Sequence, residues 1–64
     1  MTAKALVKFL ETIGFSKVRQ RGSHAMMRHE DGRRTIIPMH SGDIPVGTLH
    51  AILKDISLDA SEIK

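Results

Sequence analysis

The chain has no cysteine, no tryptophan and no tyrosine. Without cysteine there is neither a disulfide framework nor a thiolate metal site. The only aromatics are Phe9 and Phe15, so Leu, Ile, Val and four Met must fill most of any core. No apolar run approaches the roughly 20 residues of a membrane-spanning helix. Residues 1–8 carry charge every few positions and lack the apolar stretch of a signal peptide, so a cytoplasmic protein is expected. No internal repeat, linker or low-complexity segment is visible. The 64 residues have room for one domain, over 1–64. A chain of this size buries roughly 60% of the surface that its unfolded form exposes, so its core is small.

What is present is positive charge, unevenly placed. The net charge is +3. Six basic residues (Lys17, Arg19, Arg21, Arg28, Arg33, Arg34) fall in a stretch with two acidic ones, Glu30 and Asp31. Arginine presents a planar fork of donors that suits phosphate. A basic middle segment therefore points to an anionic partner, with nucleic acid the commonest, or else to a solvated charged surface.

Apolar spacing gives the element order. Leu6, Phe9, Leu10 and Ile13 recur at i, i+3, i+4 and i+7, so residues 2–13 form an amphipathic helix, with Thr2 as its N-cap and Gly14 at its end. Residues 15–20 read as a strand. Strict alternation would turn Val18 to the core, with Ser16 and Gln20 beside it, and collect Lys17, Arg19 and Arg21 on the other face. Gly22 marks a turn, and residues 24–29 form a second strand. In it Ala25 and Met27 share one face, while His24, Met26 and Arg28 share the other. A one-residue slip in register would exchange those faces. Asp31-Gly32 signals a hairpin leading to a third strand over 33–39, which Pro38 places at an edge or ends. Pro45 suits the first turn of a helix over about 45–56, with Leu49, Ile52, Leu53 and Ile56 on one face. Residues 57–64 leave room for a last short turn, capped by Ser57 or Asp59 with Glu62 three residues beyond. The expected fold is α+β, in the order α-β-β-β-α. Three antiparallel strands carry two helices on one face and leave the other face open.

Gly22-Ser23-His24 is the most informative stretch. A glycine turn delivers onto a short strand the one side chain that exchanges a proton near neutral pH. Arg19 and Arg21 precede it and Arg28 follows. A proton carrier among phosphate binders is what phosphodiester cleavage requires.

These motifs, in this order, resemble the HicA family of bacterial toxins, small ribonucleases of type II toxin–antitoxin systems. The resemblance runs through nearly the whole chain. Phe9-Leu10-Glu11-Thr12-Ile13-Gly14-Phe15 is similar to the family's opening. Val18-Arg19-Gln20-Arg21-Gly22-Ser23-His24 is similar to its active-site segment. His40-Ser41-Gly42-Asp43-Ile44-Pro45-Val46-Gly47-Thr48-Leu49 and Ile52-Leu53-Lys54 are similar to its late loop and second helix. The resemblance implies a fold like the double-stranded-RNA-binding domain, cleavage of mRNA, growth arrest, and neutralisation by a HicB antitoxin through which the pair often represses its own operon. It places the family's catalytic histidine at His24. Two departures stand out. Met27 occupies a position that is often aromatic, and Ser57 one that is often glycine near the end of the second helix.

The candidate site is therefore His24 as catalytic residue, with Lys17, Arg19, Arg21, Ser23 and Arg28 as RNA and phosphate contacts. No metal or other cofactor is expected, because the histidines and nearby carboxylates lack a recognised ligand spacing. Three functions compete. The first is a metal-independent ribonuclease toxin using a single catalytic histidine, His24, with RNA and a HicB-like antitoxin as partners. The second is a non-catalytic RNA-binding module, and the third a basic subunit docking an acidic protein. Of the other histidines, His29 is expected on the opposite face, facing solvent at a strand end. His40 lies in a loop that reaches either the active site or the antitoxin. His50 shares a helix face with Lys54, solvated or in an interface. Met26, apolar on the open face, suits burial under a partner.

Overall fold

The computed structural model describes residues 1–40 and 42–58. Helix α1 spans Ala3–Thr12, strand β1 Phe15–Arg21, β2 His24–His29, β3 Arg34–Pro38, and helix α2 Val46–Asp55. The order is α-β-β-β-α, with one antiparallel sheet in the order β1-β2-β3. No helix among the described residues is long and apolar enough to cross a membrane.

Local chemistry sets the helix ends. The Thr2 side chain accepts a hydrogen bond from the Ala5 amide at 3.1 Å, satisfying one of the free donors of the first turn of α1. The helix closes at Ile13, and Gly14 follows with φ +100°. Pro45 stands one position earlier than expected, as the N-cap residue of α2 rather than within its first turn. The carboxyl end of α2 is a Schellman motif. Leu58 N–H donates to Leu53 O at 2.9 Å, Ser57 N–H donates to Lys54 O at 3.1 Å, and Ser57 takes φ +57°. Asp59 and Glu62, the other residues of the expected final turn, lie outside the described residues.

Both helices pack on one face of the sheet. Leu6 and Leu10 of α1 meet Phe15 of β1, Met27 of β2, Ile37 of β3, and Ile52 and Ile56 of α2. Each fully buried Leu or Ile contributes roughly 1.5–3 kcal/mol. Met27 is fully buried, an unbranched side chain that adapts to its gap.

The sheet departs from strict alternation at one point. Between Lys17 and Arg19 the register of β1 against β2 shifts by one residue, so Val18 is an extra residue in β1. A β-bulge of this kind reverses the side to which all later residues point. The bulge has a clear cause. Phe15 and Arg21 have the same parity, yet Phe15 belongs in the core and Arg21 in water. Only an odd insertion between them satisfies both.

Candidate active site

Cross-strand pairing arranges the open face in three rows. Arg21, His24 and Pro38 form the first row, Arg19, Met26 and Ile36 the second, and Ser16, Arg28 and Arg34 the third. Neighbours in a row stand about 4.5–5.5 Å apart, and facing residues share a side of the sheet. The first two rows enclose a hollow of about 230 Å³ lined by Arg19, Arg21, His24, Met26 and Ile36. Its floor is apolar and its rim carries two guanidinium groups and one imidazole. Ile36 is 51% exposed, an apolar side chain left uncovered beside the histidine.

The turn that delivers His24 depends on Gly22, whose φ is +54° and whose surroundings leave open space. The Ser23 carbonyl accepts the Met39 amide, which holds the exit of β3 against this turn. His24 itself is exposed, free to meet a ligand.

The family model described as the HicA toxin of bacterial toxin–antitoxin systems matches residues 3–58, a span that includes all five elements and the whole of this face. The chain belongs to the HicA toxin family. An antitoxin partner follows from that membership. No curated protein matches the chain.

In this HicA chain the expected site residues separate into two groups. His24, Arg19 and Arg21 come together around one hollow. Arg28 lies on the same face but four residues along β2, about 13 Å from His24. There it stands directly opposite Arg34, a residue of the basic segment. Like charges so placed repel, and a bound anion would relieve them. Ser23 contributes its carbonyl to the fold and is half-buried at the turn.

Lys17 does not join the face. It pairs with Met27 and donates its Nζ to Gln20 Oε1 at 2.9 Å, while Gln20 pairs with the fully buried Ala25. Both therefore lie on the helix side. Val18, expected in the core, is 53% exposed and lines a shallow hollow with Ser16 and Arg28. The expectation of three cations gathered by alternation is corrected to two, because the bulge inverts the strand after Lys17.

His29 also differs from its expected surroundings. It is on the helix side, as its parity requires, but it is not a free surface residue. Its Nε2 donates to Ile13 O at 3.1 Å, and its Nδ1 accepts the Asp31 amide at 3.1 Å. Nδ1 also lies 3.2 Å from Asp31 Oδ1. The ring meets Phe15 edge-on with centroids 5.0 Å apart. Asp31 in turn accepts the Arg33 amide at 3.0 Å and Arg33 Nε at 2.7 Å. The backbone amide of Arg33, ahead of its guanidinium and of His29, holds the Asp31 carboxyl below its usual range. Arg33 also donates to Ile56 O at 2.8 Å and lies 5.3 Å over the Phe15 ring. One of the six basic residues is thus a structural bolt between the β2–β3 turn and the end of α2. His50 is exposed on α2.

Proposed function

We propose that this chain is the toxin of its pair and acts as a metal-independent endoribonuclease that cleaves mRNA and so arrests translation and growth. The observation that carries this reading is the hollow in which His24, Arg19 and Arg21 converge on one open sheet face. His24 moves a proton at the reacting phosphodiester, a role worth typically 10²–10⁴-fold. Arg19 and Arg21 hold the phosphate and offset the charge that builds in the transition state. Arg28 and Arg34 extend the cationic track for the neighbouring backbone. A HicB-like antitoxin neutralises the enzyme. Met26 and Ile36 supply an apolar patch among the arginines, a surface suited to burial by such a protein.

The test compares wild type with His24→Ala, each shown to be folded by circular dichroism, on RNA in EDTA. Wild type cleaves and the variant does not. Cleavage that survives in the folded variant ends the His24 assignment. Wild type that binds RNA without cutting it favours an RNA-binding module, which reads shape through phosphate and 2′-OH contacts. Cleavage lost only in EDTA calls for a metal.

A further inference from the structure

Cleavage at a ribose 2′-OH moves two protons, one off the attacking oxygen and one onto the departing oxygen, and His24 supplies only one carrier. The arginines around it do not exchange protons. His29 has both ring nitrogens committed on the opposite side of the sheet. The pattern of β3 indicates a different histidine. Thr35 and Ile37 are buried, and Met39 packs against the same core. Arg34, Ile36 and Pro38 alternate with them on the open face. Met39 still occupies a core-side position after the ladder ends, and its amide is bound by the Ser23 carbonyl, so the chain keeps its extended course for one residue more. The next residue, His40, is exposed. The ladder ends at the His24–Pro38 pair, and the same register carried two residues further would set His40 diagonally from His24. Diagonal neighbours on one face are about 7–8 Å apart, within reach of long and aromatic side chains.

We propose that His40 is the second proton carrier, a catalytic residue that flanks the scissile phosphate opposite His24. This inference rests on the ribonuclease reading above. In the step itself the 2′-oxygen forms a bond to phosphorus while the bond from phosphorus to the 5′-oxygen breaks. One imidazole takes the 2′-OH proton, and the other, as imidazolium, gives its proton to the 5′-oxygen. The products are a 2′,3′-cyclic phosphate and a 5′-hydroxyl, with no change in the total proton count and no further reactant.

The experiment measures cleavage of a short RNA against pH for wild type, His24→Ala, His40→Ala, His40→Asn and His50→Ala, with thermal melts to confirm folding. Wild type shows a bell-shaped profile, since it needs one group charged and the other neutral. Both His40 variants lose about 10²–10⁴-fold in rate and one limb of the bell, while His24→Ala loses the other limb. His50→Ala, altered on the outer surface of α2, stays within about twofold of wild type, the scale expected for a residue away from the reacting atoms. A His40 variant that cleaves at the wild-type rate, or more slowly with both limbs intact, overturns the assignment and leaves the ribonuclease reading standing. Wild-type protein that leaves RNA uncut overturns both.

Discussion

Replacing Gly14 with alanine tests how α1 is joined to the sheet. Gly14 has φ +100°, a backbone conformation that an L side chain adopts only under strain. An added Cβ would stand 2.7 Å from His29 Nε2. That ring cannot simply swing away. Its two nitrogens are bound to Ile13 O and to the Asp31 amide, and its edge meets Phe15. The backbone strain costs about 1–3 kcal/mol. Displacing the ring strands the Ile13 carbonyl, which costs about 1–3 kcal/mol more. We expect Gly14→Ala to destabilise the fold by about 3 kcal/mol. A chain of this length has only about 3–10 kcal/mol in total. Gly22→Ala is the control. It too has a positive φ, +54°, but nothing lies within 4 Å of the new methyl group. It should cost only about 1 kcal/mol, from the left-handed backbone alone. At about 4–8 °C per kcal/mol for a domain of this size, thermal melts separate the two variants clearly. Urea titrations followed by circular dichroism give the free energies directly. Adding His29→Ala to Gly14→Ala should cost less than the two losses taken separately, because the clash disappears with the ring. Equal losses for the two glycine variants would refute the reasoning, as would strict additivity in the double variant.

The remaining predictions concern the helix end, the turn and the cationic face. Ser57 occupies the left-handed position of the Schellman motif at φ +57°, so Ser57→Gly should stabilise by about 1 kcal/mol and raise Tm by about 4–8 °C; a lower Tm would contradict the motif. Asp31 has a carboxyl held below its ordinary value of 3.8, so its contribution is present above that pH and is lost as pH falls through the folded value. Asp31→Asn should therefore flatten the decline in stability below about pH 4, seen in urea titrations at acid and neutral pH, whereas parallel declines would remove Asp31 as a cause. Arg19→Ala and Arg21→Ala should each weaken binding of a non-cleavable RNA and lower the salt slope by about 1, measured by fluorescence anisotropy. Lys17→Ala should change that slope less, because the bulge puts Lys17 on the helix side; an equal change would argue that Lys17 reaches the RNA.

Much of this architecture was legible because it rests on local rules. The apolar spacing in α1 and α2, the Thr2 cap and the bounds of β2 all follow from residues within a turn or two of each other. The face of His24 was legible too, since Ala25 and Met27 are both apolar and alternate with it. The side of Lys17 was not. Alternation is a rule for an unbroken strand, and the bulge at Val18 is decided by what lies across the sheet and beneath it. The conflict was nevertheless present in the sequence, in a phenylalanine and two arginines of equal parity. The roles of His29 and Arg33 were hidden for a different reason. Their partners, Ile13 and Ile56, are carbonyls at the ends of two helices, brought near only by packing.

By itself the sequence determined the order of the elements, the inward face of each helix and the position of His24 on the open side of β2, because helical and strand periodicity are written in neighbouring residues. Only the tertiary structure decided which cations join that histidine. The requirement to bury Phe15 while leaving Arg21 in water forces one extra residue into β1. That residue, Val18, keeps Arg19 and Arg21 beside His24 and turns Lys17 away. It also decided that the chain beyond β3 returns to the Gly22-Ser23-His24 turn, since the bond from the Met39 amide to the Ser23 carbonyl exists only once the three strands have paired.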